Sequence, residues 1–391
     1  MKEFKAIIDA YRAIDFSKQM AALATVVKVS GSSYRSPGAR MLITDNGKWI
    51  GSISGGCLEG DALRKARQVM QTREPVTVTY DTREESNQNL GIGLGCNGVI
   101  DVLIEPVVPD GHNPIRLFEE LTTRNAPHLI ATVYRGSMLA EKVIMTPDGD
   151  ITSRLSDEQL TDRITHDLFR IYEGRKTESR EYQSPAYDVE VFLELVAPNI
   201  KLMIFGAGFD ARPVSQFAKM LGWDVEVTDE CVAHIAPVFF PDADKLSLCD
   251  RKFIDRDFQI TPYTACVLMS HNYEYDRDVL KKLLDSQTPY IGILGPRKRF
   301  DKMLSEFKED GIALSSDRMD TIHSPIGLDI GAETPDEIAL SIVSEIKSRF
   351  SSRSGGFLKY RRGPIHLRDP RDGQIFRQIF VQNSDDQQAT G

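Results

Sequence analysis

Two glycine-rich loops carry cysteines. Residues 54–62 read SGGCLEGDA: Cys57 follows Gly55 and Gly56, and Leu58, Ala62, Leu63, Ala66, Val69 and Met70 follow at helical spacing. A thiol at a helix start faces unpaired backbone N–H groups, which favour a thiolate or a bound anion. Residues 90–98, LGIGLGCNG, put Cys96 in a matching loop ahead of an apolar strand. The plain alternative for either cysteine is a small buried residue. Glu59 and Asp61 share the first turn with Cys57 and already complement the helix dipole, which works against a thiolate. Arg35 or Arg40, from the preceding polar loop, would offset them if either reaches the site.

A third glycine turn has the pattern of a nucleotide site. Gly206, Gly208 and Ala211 give GxGxxA between an apolar strand and a helix, and Asp229 closes the next strand about 20 residues on. In that arrangement Gly206 makes the turn, Gly208 lets a pyrophosphate approach, Ala211 permits close helix packing, and Asp229 holds a ribose hydroxyl. NAD is then the candidate dinucleotide, with a turn or a helix cap as the plain reading of Asp229. His271 follows the strand TACVLMS and so belongs at the carboxyl edge of the sheet, as an acid/base, a ligand donor or a turn residue. Arg297, Lys298 and Arg299 open a helix after Gly295-Pro296, where an anion can be met or a helix end simply solvated.

The elements that must position these residues fall into two unlike halves. Before residue 190, a first helix with Phe4, Ile7, Ile8, Tyr11 and Ile14 leads into AALATVVKVSG, a strand, and a hairpin turning at Asn46-Gly47. PVTVTYD and VIDVLIEPV read as strands, and HLIATVYR with LAEKVIMT as a second hairpin, with Pro147-Asp148-Gly149 as a turn. Residues 151–190 are weakly patterned and read as surface helix and connection. No internal repeat stands out. From 199 to 348, short apolar strands alternate with helices, the mark of a parallel sheet. The expected fold is α/β: an N-terminal α/β domain with hairpins over 1–190 and a C-terminal Rossmann-like, doubly wound parallel sheet over 199–348. A polar tail over 351–391 is expected to be partly disordered or docked.

The chain has 391 residues and a formal charge of −9, which argues against a nucleic-acid partner. Its charged, helix-patterned start is unlike a secretory signal, and no apolar run is long enough to cross a membrane. Five scattered cysteines, with no CxxC pair, fit a reducing cytoplasm.

Taken together, the motifs resemble the xanthine dehydrogenase accessory factors, the XdhC/CoxI family. The resemblance rests on VSGSSYRSPGARMLI, GSISGGCLEGDA and the GCNG loop before VIDVLIEP. In the second half it rests on FGAGFDARPV, MSHNYEYD, YIGILGPRKR and SPIGLDIGAETPDEIALSIVSEI. It implies a chaperone for molybdenum cofactor. Such a protein holds the cofactor while a cysteine desulfurase-type donor supplies its sulfido ligand, then helps deliver it to a molybdenum hydroxylase such as xanthine dehydrogenase. Gly55 and Gly56 then leave backbone donors open to the cofactor's phosphate, Cys57 offers a soft ligand for the metal or the sulfur chemistry, and the loop around Cys96 supplies a second thiolate or closes the pocket. The chain departs from the family pattern at Asn97, where relatives often have glycine. It departs again at Phe209-Asp210, where relatives commonly have histidine and where a carboxylate repels a pyrophosphate. A homodimer is the expectation for a cytoplasmic protein of this kind. The rival reading is a self-standing NAD(P)-dependent oxidoreductase with His271 as acid/base. The hydroxylase itself is excluded, because its iron–sulfur domain needs clustered cysteines.

Overall fold

The computed structural model describes residues 2–31, 33–82, 98–109, 113–123, 126–174 and 176–361. The chain divides into two compact units, whose main bodies are Glu3–Pro198 and Asn199–Tyr360.

The first unit is built twice over. It begins with α1 (Lys2–Arg12), β1 (Ala21–Gly31), β2 (Arg40–Thr44), β3 (Trp49–Gly51), α2 (Glu59–Thr72), β4 (Val76–Asp81) and β5 (Gly98–Val107). The same order then recurs as α3 (Pro114–Thr123), β6 (His128–Gly136), β7 (Lys142–Met145), β8 (Ile151–Ser153), α4 (Glu158–Gly174), β9 (Glu178–Gln183) and β10 (Asp188–Val196). Each run makes a five-stranded antiparallel sheet, ordered β3-β2-β1-β5-β4 and β8-β7-β6-β10-β9. This duplication overturns the expectation of no repeat. Residues 151–190, read from sequence as helix and connection, instead supply β8, α4, β9 and the start of β10, which crosses residue 190. The edge strand ESREYQ escaped because it is polar, with Tyr182 its only buried residue.

The equivalence of the repeats extends to single residues. Val27 is the extra residue of a bulge in β1, and Tyr134 occupies the same place in β6. Arg40 lies opposite Thr25 as Lys142 lies opposite Thr132, and Glu105 opposite Leu23 as Glu194 opposite Ile130. The outer face of each sheet is covered by its own helix, α2 on the first and α4 on the second. The inner faces pack together with α1 and α3 around Ile8, Leu23, Leu42, Ile115, Ile130 and Val196.

Across that inner interface, contacts come in reciprocal pairs. Arg40 grips Glu194 through two bonds, at 2.9 and 2.5 Å, and Lys142 grips Glu105. Lys28 meets Glu190 at 2.8 Å, and Arg135 meets Asp101 at 2.7 Å. Ser179 donates to the bulge carbonyl of Val27, and Thr77 to that of Tyr134. Such reciprocity defines an isologous interface, here formed within one chain.

The second unit follows the expected fold class. Its elements are β11 (Lys201–Phe205), α5 (Ala211–Met220), β12 (Asp224–Asp229), β13 (Lys245–Leu248), α6 (Ile254–Asp257), β14 (Thr264–Leu268), α7 (Tyr273–Leu283), β15 (Tyr290–Ile293), α8 (Arg297–Glu309), α9 (Ser316–Met319), β16 (Ile322–His323) and α10 (Pro335–Phe350). The six strands are parallel in the order β13-β12-β11-β14-β15-β16. That is the Rossmann order, with its switch point between β11 and β14. Helices α5 and α10 cover one face, and α7 and α8 the other. Thr334 and Glu337 cap α10 reciprocally, and Pro335 takes its first turn.

Candidate functional site

In the first unit, chemistry-bearing residues gather at one end of the first sheet. Gly31 at the end of β1 faces Gly98 at the start of β5, and Asp81 at the end of β4 faces Val99. Gly51, the last residue of β3, faces Met41 near the start of β2. The connections leaving this end are residues 32–39, 52–58 and 82–97. Their counterparts in the second repeat, 137–141, 154–157 and 184–187, are all shorter. The second repeat thus shows what the fold alone requires, and the first carries additions. Function is placed more often in such loops than in the scaffold below them.

The cysteine loop is one of these additions. Cys57 is half-buried against the core beneath α2, one residue before the N-cap Leu58. Gly56 holds a left-handed φ of 110°, which glycine adopts without strain. Gly55 lies under the ring of Tyr34, where a Cβ would come within 3.3 Å of Tyr34 Cγ.

The anion at this loop is supplied by the chain itself. Glu59 is buried and turns back over the loop. Its Oε1 accepts from Ser54 N–H at 3.0 Å and Ser52 Oγ–H at 2.8 Å, and its Oε2 accepts from Leu58 N–H at 3.1 Å and from Ser54 Oγ–H. Burial pushes this carboxyl up, but the hydrogen bonds from Ser54, Ser52 and the backbone outweigh it and hold it below its ordinary value. Asp61 is also taken, by Tyr80 Oη–H at 2.9 Å and Arg64 at 2.6 Å.

The two arginines expected from the preceding loop each have a carboxylate partner within the first unit. Arg40 is 5% exposed and committed to Glu194, with its guanidinium over the rings of Phe4 and Phe118. It belongs to the inter-sheet interface, because a buried guanidinium needs a carboxylate more than a surface anion does. Arg35 is bound to Glu3 on α1. Cys96, the other cysteine named from sequence, lies outside the described residues.

At the carboxyl edge of the parallel sheet, Gly206 has a φ of 106°, and a Cβ there would lie 2.3 Å from Ser270 Cα. Its role is close packing of the loops after β11 and β14. Ala211 is fully buried where α5 begins, as close packing of helix on strand requires. At Gly208 a Cβ would have only ordinary contact with His271, 3.6 Å away. Asp229, expected to hold a ribose, is bonded within the chain. One oxygen accepts from Ala207 N–H at 2.7 Å and the other from Cys231 N–H at 2.8 Å, with His234 Nδ1 at 3.2 Å. His271 stands at the predicted edge in a left-handed conformation, φ 60°, with Nε2 3.2 Å from Asp210 Oδ2. Arg297 and Lys298 are exposed, while Arg299 reaches back to Asp276 at 2.6 Å. Burial pushes Asp276 up, against the pull of Ser270 and Arg299.

Of the remaining described cysteines, two are buried. Burial and Asp257 push the Cys249 thiol up to about 11, and burial pushes that of Cys266 up to about 12, so neither is a nucleophile at neutral pH. Cys231 is exposed. Among the described residues no group of acidic, histidine and cysteine side chains is arranged to hold a metal ion. No described helix is long and apolar enough to cross a membrane. Sequence reasoning missed Glu59 as a clamp and Tyr34 as a cover. The first was signalled by Ser52 and Ser54 just ahead of an acidic first turn, the second by an aromatic residue inside an otherwise polar loop.

A model of the XdhC and CoxI family matches residues 17–81, which include the Cys57 loop, and one of the XdhC Rossmann domain matches 202–346. A Bacillus subtilis protein, named as a probable subunit of xanthine dehydrogenase, is 30% identical over 348 residues, 88% of this chain and 97% of its own. The chain belongs to the XdhC and CoxI family. Another relative, the Escherichia coli molybdenum cofactor insertion chaperone PaoD, is 23% identical over 84% of this chain and 83% of its own. The crystal structure of a Bacillus halodurans protein described as a xanthine dehydrogenase superposes with a TM-score of 0.73 at 30% identity, covering 90% of this chain and 97% of the other. Both units therefore have the architecture expected of an XdhC-type protein.

Proposed function

We propose that this XdhC-type protein is an accessory factor that binds molybdenum cofactor as cargo and hands it to a molybdenum hydroxylase such as a xanthine dehydrogenase. The observation that carries this reading is the alignment, over most of both chains, with a relative whose name assigns it cofactor insertion. The loop end of the first repeat supports it. Glu59 fixes the loop from beneath, Gly56 presents bare backbone, and Cys57 supplies a soft sulfur ligand for the metal. A persulfide-bearing cysteine desulfurase is the proposed source of the cofactor's sulfido group.

The rival reading, an NAD(P)-dependent oxidoreductase, finds less support in the geometry. Both oxygens of Asp229 are already bonded to backbone N–H groups, and Asp210 adds negative charge beside the turn where a pyrophosphate would pass. In this proposal the parallel-sheet unit works as scaffold and partner surface, without a dinucleotide. A transfer assay tests the function. Cofactor-loaded protein, mixed without air with a cofactor-free molybdenum hydroxylase, is expected to raise its activity above that reached with the same amount of free cofactor. Equal activation by free cofactor would remove the chaperone role.

A further inference from the structure

We propose that Tyr34 is the platform on which the flat pyrimidine end of the cargo's pterin stacks. The inference rests on the cofactor-handling reading above and goes beyond it by assigning one part of the cargo to one residue. Tyr34 is 68% exposed, although it sits in contact with the glycine loop. The contact is with one face of the ring. A Cβ on Gly55 would lie 3.3 Å from Cγ, 3.4 Å from Cδ1 and 3.6 Å from Cδ2. Three ring atoms at nearly equal distance set the glycine against the face, not the edge. A Cβ at residue 55 would make the ring give by a few tenths of an ångström. With one face covered and most of the residue exposed, the other face is open to solvent.

The backbone that carries the ring is also tied down by its neighbours. Ser33 Oγ donates to the Arg35 carbonyl at 3.0 Å, closing a turn around Tyr34, and the Arg35 guanidinium binds Glu3 on α1. A platform on a backbone held in this way has less freedom to lose when a ligand lands on it. The duplication supplies an internal comparison. The corresponding connection in the second repeat, residues 137–141, reads SMLAE, is shorter and has no aromatic side chain. Tyr34 is therefore an addition to the scaffold, placed against the loop that carries Cys57. A flat fused heterocycle gains face-to-face contact on such a ring, which an aliphatic chain does not. The pterin is the fused heterocycle of the cargo, so it takes the open face of Tyr34.

The test uses the full chain, without air, and two probes: biopterin, which has no metal, and molybdenum cofactor released from a denatured hydroxylase. Wild type and Tyr34→Phe are expected to bind biopterin equally, with Tyr34→Leu weaker by about tenfold. Because Tyr34 is exposed, all three chains should melt at the same temperature. Equal binding by Tyr34→Leu and wild type, or no biopterin binding by wild type, overturns the stacking site. Biopterin bound through Tyr34 by a chain that takes up no molybdenum cofactor upholds the platform and overturns the cofactor reading. Cofactor retained equally by wild type and Tyr34→Leu does the reverse.

Discussion

Glu59 shows how a single side chain can redefine a motif. From sequence, the glycine loop and the helix start suggested a place for a thiolate or a bound anion, with nearby carboxylates opposing the thiolate. In the structure one of those carboxylates is the anion, and it organises the loop on which Cys57 stands. Four donors converge on it, so Glu59→Gln would set an amide NH2 against other donors, at a cost of about 2 kcal/mol near neutral pH. The pH dependence follows from its lowered folded-state pKa, set against an ordinary value of 4.5. Its contribution is complete above that ordinary value and is lost as pH falls through the lower folded value. Denaturation of wild type and Glu59→Gln should therefore differ at pH 7 and converge in acid; a gap that persists at low pH would contradict the clamp. In sequence only the partners showed, two serines just ahead of an acidic first turn; the bonds themselves depend on how the loop folds back.

Among the elements, the turn between β11 and α5 was the most legible, since GxGxxA is a local pattern with a local cause. What the pattern did not reveal was the use to which each glycine is put. Gly206 is needed against Ser270, so Gly206→Ala should lower stability by about 3 kcal/mol or more, through both backbone clash and a disfavoured φ. Gly208→Ala meets only ordinary contacts and should stay within about 0.5 kcal/mol of wild type. Chemical denaturation of the two variants separates these roles. Calorimetric titration with NAD and NADP tests the same turn from the ligand side, and the expected result is no binding below millimolar. Micromolar binding of either would restore the dinucleotide reading. Strands β9 and β10 were harder to read, one because it is a polar edge, the other because its alternation followed a stretch taken as connection.

At the scale of the whole molecule, the first unit is a duplicated module whose two sheets pair across an interface of reciprocal contacts. The signal was present in the sequence. LATVVK at 23–28 matches IATVYR at 130–135, and VLIEPV at 102–107 matches VFLELV at 191–196. The fragments are short and separated by loops of different length, so no fixed period shows, and only the strand registers align them. Equivalence predicts similar energetics. Arg40→Glu and Glu194→Arg should each destabilise by about 3–5 kcal/mol, and the double swap should recover part of the loss. The Lys142–Glu105 pair should behave alike. Additive losses at either pair would deny that the contact couples the repeats. The duplication also directs attention to the three lengthened connections of the first repeat, and the most direct test of the account asks what that end holds. Molybdenum and pterin should be measured together on wild type and Cys57→Ser, both purified without air from a molybdenum-replete host and compared at equal folded protein. The account predicts molybdenum and pterin in equal amounts on wild type and a marked loss of both on Cys57→Ser. Wild type free of both, or the variant loaded as fully as wild type, would contradict it.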